Sequence, residues 1–293
     1  VKLIAIMPVR NEDWVLGLSL RAALKWCDGA VVLNHSSTDG TSDILDEITC
    51  EYPGRLTVLA DQDGTWREMQ HRQRLLDHAR MAGATHIALV DADEVLSGNL
   101  LPTIRDQIRQ LPLSSYVQIP MRNLWRSISH YRSDSGIFGG RSITSVAFAD
   151  TAACSWFAKG GYDHHHREPH GSRCACRWYG IPGGVMHLQF ASWRRLVAKH
   201  ALYKMSERLR WPQKPVGDID KLYSLALDEG GLQRQEVPAG WWEPYLELME
   251  YLNVDREPWQ ERECQVLWSQ YGPGTFAGLD LLGVPDGCHA SAN

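Results

Sequence analysis

Three acids fall within four positions of the sequence: Asp91, Asp93 and Glu94, directly after the apolar run at residues 87–90. The run is short enough to be a buried strand, and Gly83 ahead of it is turn-like. On a strand, side chains at i and i+2 share a face, so Asp91 and Asp93 are expected to point together into one crevice. Two carboxylates held side by side repel each other unless a cation or a proton sits between them. Hard oxygen ligands of this kind suit Mn2+ or Mg2+, above all when phosphate oxygens complete the shell. Residues 85–96 therefore point to a metal-dependent enzyme acting on a phosphorylated small molecule.

Such a turn has to be positioned by regular elements, and the chain repeats them. Residues 2–9 read as a first strand, closed by Pro8, with Arg10, Asn11 and Glu12 at its carboxyl end. Asp13 is placed to cap a helix over 14–24. A second apolar run at 30–33 empties into NHSSTDGT, residues 34–41, before another amphipathic helix. A third, at 56–60, ends at Asp61 ahead of a helical pattern over 66–81, and 87–90 is the fourth. Four strands with intervening helices predict a parallel, doubly wound sheet, an α/β fold whose ligands gather beyond the carboxyl ends of the strands. Those ends carry residues 8–12, 35–41, Asp61 and the acids at 91 and 93, so four distant stretches converge.

Beyond residue 98 the alternation fades. Strands are expected at 116–121 and 143–148, with an insertion at 122–142 that carries Arg122, Trp125, Arg126, His130, Tyr131 and Arg132. Residues 159–180, rich in His, Gly and polar side chains, read as a long loop over the site. A strand over 185–190 carries His187, and Ser192 caps a helix over 193–209 that ends at Trp211-Pro212. Helical segments at 218–228, 243–252 and 261–269 pack beside the sheet, and the tail from Gly272 is loose.

The composition narrows the class. With 44% hydrophobic and 22% charged residues, the 293-residue chain can bury a real core. Its formal charge of −5 argues against generic nucleic-acid binding. No uninterrupted apolar stretch is long enough to cross a bilayer, and the opening VKLIAIMPVRNE turns polar too soon for a signal peptide. Seven cysteines do not form a dense disulfide framework and read as reduced thiols, which places the protein in the cytoplasm. The aromatic content of the C-terminal half is compatible with peripheral association at the cytoplasmic membrane face. Cys174 and Cys176, near His164, His165, His166 and His170, lack the usual zinc spacing and read as unligated. The twelve tryptophans, among them Trp66, Trp125, Trp156, Trp178 and Trp193, serve more often as core than as sugar platforms.

MPVRNE at 7–12, SSTDGTSDIL at 36–45 and LVDADEVL at 89–96, in that order, resemble the family-2-type glycosyltransferases of GT-A fold, with weaker support from VMHLQFASWRRLVAKHALYK at 185–204. The resemblance implies a Rossmann-like, mostly parallel sheet with a mixed-sheet acceptor half and a helical C-terminal region. It divides the chain into a catalytic domain at 1–210 (nucleotide half 1–98, metal and acceptor half 99–210) and a helical extension at 211–293. It implies transfer of a sugar, usually with inversion, from a nucleotide diphosphate sugar, UDP-linked by family weight, to a glycan or small hydroxyl acceptor. Pro8, Val9 and Asn11 would form the floor of the nucleotide pocket, with Arg10 or Glu12 on base or ribose and Asp39 and Asp61 on the nucleoside. Asp91 would face ribose or a metal-bound water, Asp93 would hold the metal, and His187 would complete its shell. Arg194, Lys199 and Lys204 would neutralise the departing diphosphate. Asp163 or Glu168 would serve as catalytic base, ahead of Asp218 and Asp220. Each acid has a plainer use as a turn or helix cap, and each cation as the wet face of a helix.

Rival readings share part of this chemistry. A nucleotidyltransferase acting on a sugar phosphate would use the same cation and fold. A glycoside hydrolase would use paired carboxylates without a nucleotide. A noncatalytic glycan-binding protein would leave the four converging strand ends unexplained. A redox dinucleotide protein is disfavoured, because the first strand leads to MPVRNE and not to a glycine-rich fingerprint.

Overall fold

The computed structural model describes residues 1–157, 166–178 and 180–285. The first half alternates as β1 (Leu3–Val9), α1 (Leu16–Leu24), β2 (Gly29–His35), α2 (Thr41–Glu51), β3 (Leu56–Asp61), α3 (Glu68–Met81) and β4 (His86–Leu89). There follow β5 (Glu94–Leu96), α4 (Leu101–Arg109), β6 (Ser115–Asn123), β7 (His130–Arg132), β8 (Ile143–Ala149), β9 (Arg173–Arg177) and β10 (Val185–His187). The rest is α5 (Trp193–Arg210), α6 (Val216–Ser224), β11 (Arg234–Glu236), α7 (Ala239–Trp242) and α8 (Trp259–Tyr271).

The main sheet runs β3-β2-β1-β4-β8-β6-β10-β5, with β9 added beside β6. Its first four strands are parallel, with Ile4 opposite Gly29 and Ile87, whereas β8 returns antiparallel between β4 and β6. This is the Rossmann-like, GT-A-type arrangement: a mostly parallel half, a mixed half, helices on both faces and a helical C-terminal region. β7 and β11 form a separate antiparallel pair.

Alternation along β1 explains the layers. Leu3, Ala5, Met7 and Val9 face α1, α2 and α4, where Leu16, Leu20, Leu45, Ile48, Ile104 and Ile108 close one core. Ile4 and Ile6 face the other way, onto Met69, Leu75, Leu76 and Ala79 of α3. Each such aliphatic side chain contributes about 1.5–3 kcal/mol on burial, so a one-residue slip of β1 would exchange the two cores and is strongly disfavoured. The far side of α1, with Trp14, Leu18 and Ala22, packs on Trp241, Tyr245 and Leu248. Helix α5 supplies Ala201, Leu202 and Met205 to a cluster with Cys264 of α8 and with Phe276.

Several expected boundaries move. Pro8 does not close the first strand, because the register continues through Pro8 opposite Leu33 to Val9 opposite Asn34. Asp13 does not cap α1; the helix starts without a side-chain cap, and an Asp13 carboxylate oxygen accepts from the Gly40 amide at 3.0 Å. Ser192 does cap α5, accepting from Arg195 N at 3.4 Å. The strand expected over 185–190 ends at His187 and tightens into a 3-10 turn, and 243–252 is largely 3-10 rather than α-helical. The long loop expected at 159–180 contains β9, whose sulfur-bearing RCACR pairs with β6. Among the described residues no helix is long and apolar enough to cross a membrane.

Candidate active site

The strand ends after β1 and β2 are laced together by backbone amides. Asn11 takes φ +55°, a left-handed conformation that Asn tolerates better than bulkier residues. Its amide donates to Ser37 Oγ at 3.0 Å, and its side-chain oxygen accepts from Thr38 N at 2.7 Å. Glu12 N donates to Thr41 Oγ1 at 3.0 Å. Both oxygens of Asp39 accept backbone N–H groups, from Thr41 at 3.0 Å and Asp13 at 3.2 Å. Arg10 reaches Gly64 O at 3.0 Å and stacks over Trp259, while Val9 is buried beneath.

After β3, Asp61 receives Arg74 at 2.6 Å and stands 3.5 Å from His71 Nε2. His71 packs on His35 and Trp66, with ring centroids 4.6 and 5.0 Å away, and Trp66 is exposed. Burial, then the neighbouring His35, pushes the His71 imidazole down to about 4.

The acids at 91–94 do not lie on a strand. β4 stops at Leu89, and a turn closed by Glu94 N to Asp91 O at 3.1 Å leads straight into β5. Asp91 and Asp93 therefore take different partners and do not share one strand face. Asp91 sits between Arg72, 3.5 Å from its Oδ1, and Arg167, 3.4 Å from its Oδ2. Burial opposes its charge, but Arg167 and then Arg72 outweigh that and hold its pKa below the usual carboxylate range. Arg167 also forks onto Glu94, with both contacts at 2.5 Å, and donates to Leu89 O at 2.6 Å.

Asp93 instead faces His187 Nε2 at 3.4 Å and Lys199 Nζ at 3.7 Å. Its burial is more than offset by these two neighbours, so its pKa is depressed. His187 Nδ1 lies 2.9 Å from Asn123 Oδ1, and Asn123 Nδ2 donates to Phe138 O at 2.7 Å. The amide is thereby oriented, Nδ1 is its donor, and Nε2 is turned toward the Asp93 carboxylate. A carboxylate oxygen and an imidazole nitrogen at that distance can be joined by a proton or by a cation. Glu12 is close by; burial first, and the Asp93 charge second, push its pKa up to about 8.

The arrangement tests the expected metal. Among the described residues no group of three or more His, Cys, Asp or Glu side chains converges to hold an ion. Asp93 and His187 offer two ligands of suitable chemistry, so they fit a divalent ion whose remaining ligands are donor oxygens and water, not a cage made by the protein alone. Asp91, held between two arginines, is not part of that pair.

The remaining predicted residues divide by position. Lys199 lies at the site and also donates to Gln189 Oε1 at 2.5 Å. Lys204 lies elsewhere: it is fully buried, with Asp220 at 2.9 Å and Asp280 O at 2.8 Å. Arg194 is occupied by Glu257 and Glu261, and Asp218 lies in the first turn of α6. Glu168 accepts from Ser145 Oγ at 3.1 Å. Continuing the β4–β8 register, in which Ala88 faces Ala147, puts Ser145 level with Val90 and so brings Glu168 to the same strand end. Asp163, His164 and His165 lie outside the described residues. His170 stacks on Phe157, and Cys174 and Cys176 are free thiols.

Sequence reasoning missed Arg167, Arg72 and Asn123. Arg72 carried a signal: it shares the helical face of Met69, Leu76 and Ala79, where a cation is out of place unless an acid meets it. Arg167 was masked by the polar run around it, and nothing singles out Asn123.

No protein-family model and no curated protein matches the chain. Among solved structures it resembles S. aureus TarS 1-349, over 98% of this chain and 90% of that chain, at 12% identity and a TM-score of 0.47. The same TarS segment in complex with UDP matches over 51% of this chain and 47% of that chain, at 15% identity and a TM-score of 0.39. Glucosyl-3-phosphoglycerate synthase from Mycobacterium tuberculosis, in complex with Mn2+, uridine-diphosphate and glucosyl-3-phosphoglycerate, matches over 42% and 44%, at 12% identity and a TM-score of 0.30. Likenesses this distant assign neither a ligand nor a reaction to the chain.

Proposed function

We propose that the chain is a metal-dependent glycosyltransferase of the family-2 type, moving a sugar with inversion from a nucleotide diphosphate sugar, UDP-linked, to a hydroxyl of a glycan or small acceptor. The observation that carries this reading is the Asp93–His187 pair, oriented by Asn123, on the sheet edge where the carboxyl ends of the parallel strands β3, β2, β1 and β4 lie side by side. Residues 1–210 would form the catalytic unit, with 211–293 packed against it.

In this reading the Asn11–Thr38 lacing shapes the nucleotide floor, and Asp93 with His187 would hold Mn2+ or Mg2+. When bound, the ion supplies charge stabilisation to the leaving group. Lys199 adds a second positive charge there, held ionised by its acidic neighbours against the cost of burial. Glu12, whose pKa burial and the Asp93 charge push up to about 8, can in its protonated form donate a hydrogen bond to base or ribose. The acceptor oxygen forms a bond to the anomeric carbon while the bond from that carbon to the diphosphate oxygen breaks, its electron pair leaving with the nucleotide. The acceptor proton passes to a carboxylate, Glu168 or Asp163.

Calorimetric titration of UDP and GDP, each with and without Mn2+, tests the reading. Mn2+-dependent binding of UDP, lost in a folded Asp93→Ala variant, is the expected result. A folded wild type that bound neither nucleotide but bound glycans would replace the transferase with a noncatalytic lectin-like role. Release of pyrophosphate from a nucleoside triphosphate and a sugar phosphate would replace it with nucleotidyl transfer.

A further inference from the structure

Arg167 is the side chain that the proposed mechanism leaves unexplained. It follows the histidine run, yet its guanidinium is carried into the interior against the end of β4. There it forks onto Glu94 at 2.5 Å twice, touches Asp91 at 3.4 Å and caps the Leu89 carbonyl at 2.6 Å. Glu94 is buried, and its Oε2 also accepts the Asp91 amide at 3.2 Å, so one carboxylate joins the guanidinium to the backbone of the acidic turn. The next residue, Glu168, hydrogen bonds to Ser145 on the neighbouring β8.

We propose that Arg167 is a positioning residue that sets the two sides of the transfer site with one side chain. Its fork onto Glu94 fixes the turn that carries Asp91 and the donor-side Asp93. The same fork holds residues 166–168 down on β4, so that Glu168 meets the acceptor from a fixed place. The inference rests on the transferase reading. A planar fork is what the geometry uses; an ammonium would supply charge without the paired direction. A plain structural brace would have no need to join the turn that carries Asp93 to the segment that carries Glu168.

The test separates bracing from positioning. UDP release from UDP-glucose and UDP-N-acetylglucosamine, with Mn2+ and water as acceptor, gives kcat and KM; UDP titration reads the donor side alone. Arg167→Met leaves Glu94 buried without its cation and should lower the thermal midpoint, and Arg167→Met/Glu94→Leu should restore it by removing both charges. In that stable double variant, kcat should remain about 10²-fold low, and UDP binding should weaken about tenfold because the donor-side turn is no longer fixed. Arg167→Lys should recover the midpoint and only part of kcat. Glu168→Gln should lower kcat about 10²-fold in wild type but less than about threefold in the double variant, because both changes remove the same placement.

Wild-type kcat in the stable double variant would reduce Arg167 to a brace and overturn the proposal. So would additive losses from Glu168→Gln, or no loss from that change in wild type, which would leave the transferase reading standing with another base. Failure of the wild type to bind UDP or to release it from either donor would instead sink the transferase reading, before any variant is made.

Discussion

The turns that leave β2 and β4 carry the same residue type at the same kind of place, yet their acids meet opposite conditions. Asp39 is satisfied by its own chain, with one backbone amide on each oxygen. Asp93 instead meets side chains at longer range, with His187 Nε2 at 3.4 Å and Lys199 Nζ at 3.7 Å, and its imidazole neighbour is oriented by Asn123. The first acid finishes a loop. The second is kept ionised in a buried place where ionisation is costly, which is the pattern of a group retained for chemistry. The difference lies in what the surrounding backbone offers, not in the motif.

The largest expected effect falls on the second turn. Asp93→Asn keeps the shape and removes the charge, and should cut turnover by about 10²–10³-fold while circular dichroism and the thermal midpoint stay near wild type. If Asp93→Asn left turnover intact and Asp39→Asn abolished it, the comparison would be inverted. Next in size is Asn123→Leu, which frees the imidazole to turn. It should weaken Mn2+ binding in the presence of UDP by about 10–100-fold, read by calorimetry, with little change in UDP binding measured without metal. Unchanged Mn2+ affinity would mean that the tautomer is set by something other than Asn123.

How much of this was legible in the sequence follows from the same contrast. β1, β2 and β4 were readable because both faces of each strand are buried and the apolar runs are uninterrupted, and β3, a largely exposed edge strand, because it falls in the alternation with the helices. β5, β7 and β11 were not, since three-residue strands carry no periodicity, and α4 was overlooked although Ile104 and Ile108 mark its buried face. For the site, the convergence of strand ends was legible, because topology follows from the alternation. The partners of each acid were not, because Arg167 and Asn123 reach Glu94 and His187 from 73 and 64 positions away. The i, i+2 argument for Asp91 and Asp93 failed for a local reason: the strand ends two residues before Asp91, and strand geometry does not extend into a turn.

The Asp39 side of the comparison predicts a loss of stability more than of chemistry. Asp39→Ala strips two backbone amides of their acceptors, an effect of the size of a lost helix cap, and should cost about 1–2 kcal/mol in a urea unfolding series. Donor KM should rise as the loop loosens, while kcat falls by less than about tenfold. A collapse in kcat with full stability would instead assign Asp39 a direct contact with the nucleoside.

The smallest effect is a slope with pH, and it separates the two turns by the pH at which each fails. His71 is buried against His35 beside the β3 end, and its folded pKa is down to about 4, against roughly 6.5 in an unfolded chain. Below pH 6.5 the unfolded chain takes up a proton that the folded one refuses until about pH 4, so stability falls as pH drops through that window. The slope contributed by one proton cannot exceed about 1.4 kcal/mol per pH unit. Asp91 and Asp93, with depressed pKa values, add their own loss only below the ordinary carboxylate range. Glu12, its pKa pushed up to about 8 by burial and by the Asp93 charge, works against His71 over the same window, losing stability as pH rises. Between pH 4.5 and pH 7, His71→Gln should therefore make the dependence of the urea midpoint on pH less positive, and Asp93→Asn, by relieving Glu12, should make it more positive. A slope made less positive by Asp93→Asn and left untouched by His71→Gln would mean that the acidic turn, not the histidine pair, takes up the proton there, and the assignment of charge to the two regions would have to be exchanged.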